Sequence, residues 1–336
     1  MIMLVVLFLQ MKYIYEKRKL DSYVIAWSTV LPVRNYVLNS DISLLNYVNR
    51  GFKNQSIVTL FTSFKTDYTV DSEKVLVLNN TLYNWKTLKP LAQLIVFTKK
   101  TFDTDQINLT HWNLFPIYNY SESGIPSIKQ MYMHAKELYN TYWHGYFNGD
   151  ILLTDDFLET LEYVLSVSDT FQNDSILIIG RRINVFNVTS EEVRNMNGIK
   201  KSARSRGSLY DIDAEDYFIT NRFFPWSKIP EFVIGRAGYD NWIVGHARCD
   251  LKTVVIDATE TLTAVHQTTL KGGNREGFTH ADRRYNLEMI QRIGLPKRFL
   301  QGPTTCAEWR TLRTIKTRRI ELVKRDDLHK NCKCNK

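Results

Sequence analysis

The sequence predicts an α/β sheet, and three observations carry that prediction. Short β-branched and aromatic runs recur at 22–29, 56–62, 91–97, 175–179 and 254–257, as strands do. Helical patterns separate several of these runs, which is the alternation of an α/β sheet. At 336 residues and 44% hydrophobic content, the chain can bury a sizeable core as one large or two modest domains.

Taken in order, the apolar run Met1–Leu9 is followed by Lys12, Lys17, Arg18 and Lys19. It is shorter than the about 20 residues a spanning helix needs, and its charge follows the apolar run instead of preceding it as in signal peptides. Residues 1–20 therefore read as a truncated membrane anchor or a buried strand, with the anchor preferred. Ile57–Phe61 ends at Thr62-Ser63-Phe64-Lys65, a polar loop at a strand's carboxyl end, where open α/β sheets bind ligands. A helical stretch is expected near Leu82–Leu88, and a polar, aromatic loop at 105–123. Gly124-Ile125-Pro126-Ser127 gives a turn and a serine N-cap. Ile128, Met131, Tyr132, Ala135 and Leu138 then share one helical face. Thr154 is the expected N-cap of a helix through Val167, with Asp155 and Asp156 suited to its first turn. Residues 186–209, with Lys200, Lys201, Arg204 and Arg206, read as a mobile charged loop.

The formal charge is +9, but ten basic residues against three acids fall in 309–336, so +7 of it belongs there. Residues 21–300 are expected to form the main domain and 301–336 a basic, solvated tail. No zinc-finger, RNA-recognition or helix-turn-helix signature is present, and nucleic acid is not an expected partner. Cys249, Cys306, Cys332 and Cys334 allow one or two disulfides without fixing a pairing. Sequons begin at Asn54, Asn79, Asn108, Asn119, Asn173 and Asn187, a mild lean toward the secretory path.

The chemistry starts at Tyr146-Phe-Asn-Gly-Asp-Ile-Leu-Leu153, which reads as a buried strand broken by a polar kink. A buried carboxylate is costly without a cation, metal or hydrogen bonds, so Asp150 is a candidate ligand; an Asn-Gly hairpin is the alternative. Asp211, Asp213, Glu215 and Asp216 crowd the mouth of the strand beginning at Tyr217, a repulsive cluster unless relieved. Glycines precede Asp240, which is either an N-cap or a functional acid. His266 closes a strand and is structural or a ligand.

Together Tyr146-Phe-Asn-Gly-Asp-Ile151, Glu215-Asp-Tyr-Phe218, Ile234-Gly-Arg-Ala-Gly-Tyr-Asp-Asn-Trp242 and Val254-Val-Ile-Asp-Ala-Thr259 followed by Ala264-Val-His-Gln267 resemble the GT-A-fold glycosyltransferases. Within them, the likeness is to a largely uncharacterised glycosyltransferase-like group. It spans about 56–267 and implies a Rossmann-like α/β/α sandwich with a mixed, mostly parallel sheet. It also implies that Asn148-Gly149-Asp150 stands for an Asp-x-Asp metal motif, Asp240 for the base and His266 for the last metal ligand. Asn148 departs from the motif's first acid. The ion would rest on Asp150, His266 and substrate phosphate, which suits Mn²⁺ or Mg²⁺.

The implied reaction moves a sugar from a nucleotide-sugar donor to a hydroxyl of a glycan, protein or lipid acceptor. Asp240 would act as base, with inversion preferred. The implied donor-binding residues are Phe61, Thr62, Lys65, Gly124, Asn148 and Arg181; Glu215, Asp216 and Trp242 would meet the acceptor. A Golgi or ER lumen location as a type II membrane protein follows if residues 1–20 tether the chain, and a cytoplasmic one if they form a strand. Two rivals are a nucleotidyltransferase on a related fold, which would need a Gly-rich basic loop after the first strand, and a non-catalytic nucleotide-sugar or glycan binder.

Overall fold

The computed structural model describes residues 56–64, 72–98, 112–116, 124–171, 175–269, 280–326 and 328–334. The expectations for 1–29, Lys65 and most of 105–123 lie outside them. Residues 43–336 make up one compact unit.

Thirteen strands are found among the described residues: β1 (Val58–Ser63), β2 (Ala92–Thr98), β3 (Asn113–Pro116), β4 (Trp143–Phe147), β5 (Ile151–Leu153), β6 (Ile176–Ile179), β7 (Ile183–Phe186), β8 (Ser208–Leu209), β9 (Tyr217–Asn221), β10 (Val254–Asp257), β11 (Ala264–Thr268), β12 (Trp309–Arg313) and β13 (Ile320–Lys324). A large sheet runs β13-β12-β10-β6-β9-β4-β1-β2-β3. Its pairs are parallel except β12 with β13 and β9 with both neighbours. The sheet is therefore mixed and mostly parallel, as expected. Its inner strands are buried throughout, consistent with cover on both faces. On one face lie α1 (Ser72–Lys86) and α3 (Asp156–Val167), packed around Trp85, Phe147 and Phe157. On the other lie α2 (Ile128–Leu138) and α6 (Tyr239–Cys249), around Phe61, Tyr132 and Trp242. Helices α4 (Ser190–Val193), α5 (Met196–Arg206) and α7 (Tyr285–Arg292) complete the set.

A smaller sheet, β5-β11-β7-β8, stands beside the large one. The chain crosses directly between the two sheets, with no helix in between, at β4→β5, β6→β7, β8→β9 and β10→β11; it also passes between them through α3 at β5→β6 and through α7 at β11→β12. Since β4 and β5 belong to different sheets, Asn148-Gly149 is no hairpin turn. Gly149 has a steric role instead: a Cβ there would meet the Phe64 ring at 2.7 and 2.9 Å, so it lets the ends of β1 and β4 close together. β1 is flanked by β2 on one side and β4 on the other, making the β1/β4 carboxyl ends a topological switch point.

Several local expectations are corrected. Residues 190–206 hold two helices, not a mobile loop: Thr189 and Glu192 close a capping box, and Asn195 caps α5 through Gly198 N. Ser127 caps α2 as expected, but Leu138 is exposed. Thr154 does not cap the backbone of α3; its hydroxyl donates to Asp156, which also accepts from Thr263. Asp155 pairs with Lys200, so both acids are structural. The basic segment is no solvated appendage. It supplies β12 and β13 to the large sheet, and two disulfides, Cys249–Cys334 and Cys306–Cys332, bind it in.

Candidate active site

The four direct sheet-to-sheet crossings bring together side chains distant in sequence. The β4→β5 crossing turns tightly, with Ile151 N donating to Asn148 O at 3.1 Å. It presents Asp150, whose Oδ2 lies 3.1 Å from His266 Nε2 on β11, the antiparallel partner of β5. His266 Nδ1 sits 2.9 Å from Thr268 Oγ1. Nε2 donates to Asp150 here; the other tautomer, with its proton on Nδ1 toward Thr268, is the one that would offer Nε2 to a metal. Asp150 Oδ1 is buried with no hydrogen-bond partner among the described residues. Burial works to raise the pKa of Asp150, but the charges of His266 and Arg182 and the His266 hydrogen bond hold it below the ordinary carboxylate value.

The pair fits a divalent ion. Two cis ligands of an octahedral ion at about 2.1 Å are about 3.0 Å apart, close to the observed Asp150–His266 separation. Among the described residues no group of three His, Cys, Asp or Glu could hold a metal. The two side chains are thus a partial ligand set that substrate oxygens would have to complete.

The β8→β9 crossing carries Glu215 and Asp216. Asp216 Oδ1 accepts from Asn148 Nδ2 at 2.7 Å and pairs with Arg182 Nη1 at 2.5 Å; its Oδ2 is buried without a hydrogen-bond partner among the described residues. Burial raises its pKa despite Arg182 and His266. Glu215 is 2% exposed. Its Oε2 accepts from Asn241 Nδ2 at 3.2 Å, and Oε1 has no partner among the described residues. Burial, then repulsion from Asp240 and Asp213, drives its pKa well above the ordinary value.

Asp240 stands in the first turn of α6. The N-cap is Gly238, at φ +90°, where a Cβ would also strike Leu287 at 2.6 Å. Asp240 is therefore not the cap. Its Oδ1 accepts from Asn241 N at 3.0 Å, and burial pushes its pKa up to about 7, with Asp216 and Asp213 adding to the rise. A carboxyl poised near neutrality is suited to general-base work.

The site thus gathers Asp150, His266, Glu215, Asp216 and Asp240, all singled out in the sequence. Thr62, the next-to-last residue of β1, has its Oγ1 buried and unpartnered among the described residues. Other expectations fail. Phe61 is fully buried and packs edge-on against Tyr132 at 4.6 Å, so it is core. Trp242 is also fully buried, stacked on His246 and donating to Pro296 O, so no sugar can stack on it. Arg181 is turned away: its guanidinium donates to Tyr210 O and its peptide N–H to Thr259. Gly124, at φ +72°, takes the left-handed conformation shortly before α2, which gives it a turn-forming role. Asn148 has both amide atoms engaged, Oδ1 by Tyr146 OH at 2.8 Å and Nδ2 by Asp216, so it braces Asp216 instead of facing a donor. Sequence reasoning missed Arg182, which pairs with Asp216, donates to Asn184 and lies 4.1 Å from the Tyr210 ring centroid. It also missed Asn241. Its position beside Asp240 at a helix start was the signal available.

No protein-family model matches the chain, and no curated protein matches it. Among solved structures, one named as a glucose-1-phosphate thymidylyltransferase from Bacillus anthracis in complex with a sucrose is similar at 11% identity, with a TM-score of 0.35, covering 72% of this chain and 98% of that chain. A likeness of that size carries no functional argument, and the assignment below rests on the side-chain geometry.

Proposed function

We propose that this protein is a metal-assisted glycosyltransferase, moving a sugar from a nucleotide-diphosphate sugar to an acceptor hydroxyl. The observation that carries the reading is the pairing of two unlike centres at one switch point. One is Asp150–His266 at cis-ligand spacing; the other is Asp240, with a pKa near neutrality.

Asp150 and His266 would hold Mn²⁺ or Mg²⁺, which supplies positive charge for the departing diphosphate. Asp240 would take the acceptor hydroxyl proton while the acceptor oxygen bonds to the sugar's anomeric carbon. The bond from that carbon to the diphosphate breaks, and the nucleoside diphosphate leaves with the electron pair. A base on one side and a leaving-group site on the other suits inversion. General-base catalysis contributes about 10²–10⁴-fold. Arg182 holds Asp216 in place from behind.

The test is calorimetry with Mn²⁺ and nucleoside diphosphates, followed by donor hydrolysis with a nucleotide-sugar panel. Mn²⁺-dependent hydrolysis lost in Asp150→Ala and His266→Ala supports the reading; hydrolysis that survives both sinks the metal assignment. For location, the reading is the lumen of the secretory path. Two disulfides suit an oxidising compartment, and Asn187 of the sequon Asn187-Val-Thr189 is exposed. An endoglycosidase-sensitive mobility shift abolished by Asn187→Gln would support it. Among the described residues no helix is long and apolar enough to cross a membrane.

A further inference from the structure

On the reading just proposed, we infer that the transferred sugar is neutral and hydroxyl-bearing, seated against Glu215 and Asp216, and that sugars carrying a carboxylate are refused. In any such transfer the sugar lies between the leaving diphosphate and the acceptor oxygen. Glu215 and Asp216 bridge these two ends of the site. Asp216 is joined to Asn148, two residues from Asp150, by two hydrogen bonds: Nδ2 to Oδ1 at 2.7 Å and N to O at 2.9 Å. Glu215 is joined to Asn241, beside Asp240, at 3.2 Å. The bridging pair, placed among acceptor contacts in the sequence, thus falls where the donor sugar must sit.

The chemistry at that place is one-sided. Glu215 is 2% and Asp216 5% exposed, yet Glu215 Oε1 and Asp216 Oδ2 have no hydrogen-bond partner among the described residues, and neither does Asp150 Oδ1. A buried acceptor without a donor is unfavourable, and a ligand presenting O–H groups relieves it. Vicinal sugar hydroxyls do so. They would also serve a protonated Glu215, since a hydroxyl both donates and accepts. A sugar carboxylate brings only acceptors and a second negative charge. The cation among these side chains is Arg182, already engaged by Asp216, Asn184 and the Tyr210 ring. An extra buried anion beside Glu215, Asp216 and Asp240 would have no countercharge among the described residues, which is how like-charge placement excludes a wrong ligand.

The test compares donors that differ at one carbon. The full chain with Mn²⁺ is titrated with UDP, UDP-glucose and UDP-glucuronate, and in parallel with GDP, GDP-mannose and GDP-mannuronate. The neutral donor of the nucleotide that binds is expected to bind at least tenfold tighter than its acidic counterpart. Asp216→Asn, nearly isosteric, removes the carboxylate that Arg182 neutralises and so leaves that positive charge to meet an acidic sugar; it is expected to narrow the ratio. An acidic donor bound as tightly as the neutral one, with the nucleoside diphosphate still requiring Asp150 and His266, overturns this inference and leaves the transferase reading standing. A ratio unchanged in Asp216→Asn also overturns it. Failure of every nucleoside diphosphate and nucleotide-sugar to bind overturns both.

Discussion

Replacing Asp240 by Asn separates the acid's role in chemistry from its effect on stability. In the folded protein its carboxyl sits at about 7 instead of 3.8. Folding therefore raises its proton affinity, and the folded state is favoured while the group is protonated. That advantage is full below about pH 4. It drains away as pH rises toward 7, because the unfolded chain ionises freely while the folded one must bury a charge. A rise from 3.8 to about 7 corresponds to about 4 kcal/mol above neutrality. The residue keeps part of its surface open, so solvent screens the charge and a gain of about 1–3 kcal/mol is the expected benefit of the amide. Asn can still accept from Asn241 N, so the local turn is preserved. Urea unfolding at a series of pH values should show wild type and Asp240→Asn converging near pH 4, with the variant more stable above pH 7. Donor turnover to an acceptor should fall about 10²–10⁴-fold in the variant, while wild-type turnover climbs with pH, is half-maximal near 7 and levels off above it. A stability gap independent of pH would refute burial as the cause of the shift. Undiminished transfer in the variant would refute Asp240 as the base.

Gly149→Ala places a methyl group 2.7 Å from the Phe64 ring and should cost about 1–3 kcal/mol in urea unfolding, weakening Mn²⁺ binding through the adjacent Asp150. Arg182→Met leaves Asp216 buried without its cation and should cost about 3–5 kcal/mol, most of it recovered in the double variant with Asp216→Asn. Cys249→Ser with Cys334→Ser should lower stability by about 2–5 kcal/mol, with a larger loss when the wild-type protein is unfolded under reducing conditions, where Cys306–Cys332 opens as well.

The large sheet was legible because its strands are continuous apolar runs bounded by polar turns. Ile176–Ile179 and Val254–Asp257 fall where the pattern put them. The acids were legible because charge in such surroundings has no packing explanation. What failed was direction. Side chains alternate across a strand, so Phe61 enters the core with Tyr132 while its neighbour Thr62 faces the other way. Adjacent arginines diverge likewise: Arg181 turns to Tyr210 O and Arg182 to Asp216. Trp242 was misread for a similar reason, since helical position decides which side meets the core. Residues 186–209 look like loop by charge, yet Thr189 with Glu192 three residues on is a capping box, which marks a helix start. The strands at 309–324 were hidden by basic residues at the sheet's edge, where charge is compatible with pairing.

The position of the site follows from how the two sheets are joined. β4, β6 and β10 each leave the large sheet at the carboxyl end and pass to β5, β7 and β11 of the small one, while β8 returns to β9 in the opposite sense. A strand changing sheets must give up one set of ladder partners before it gains the next, so polar side chains brace the gap. Asn148 accepts that role toward Asp216, and Gln267 N–H donates to Asp150 O at the same junction. Asp150, Arg182, Asp216 and His266 are each within two residues of a paired strand, which fixes their spacing without help from a long loop. Asp240 comes from a different source, the first turn of α6, and reaches the same place through Asn241 and Glu215. Burying so many carboxyl oxygens without donors lowers stability. On the proposed reading, a ligand that brings both a cation and hydroxyl groups would relieve these oxygens at the seam where the direct crossings meet.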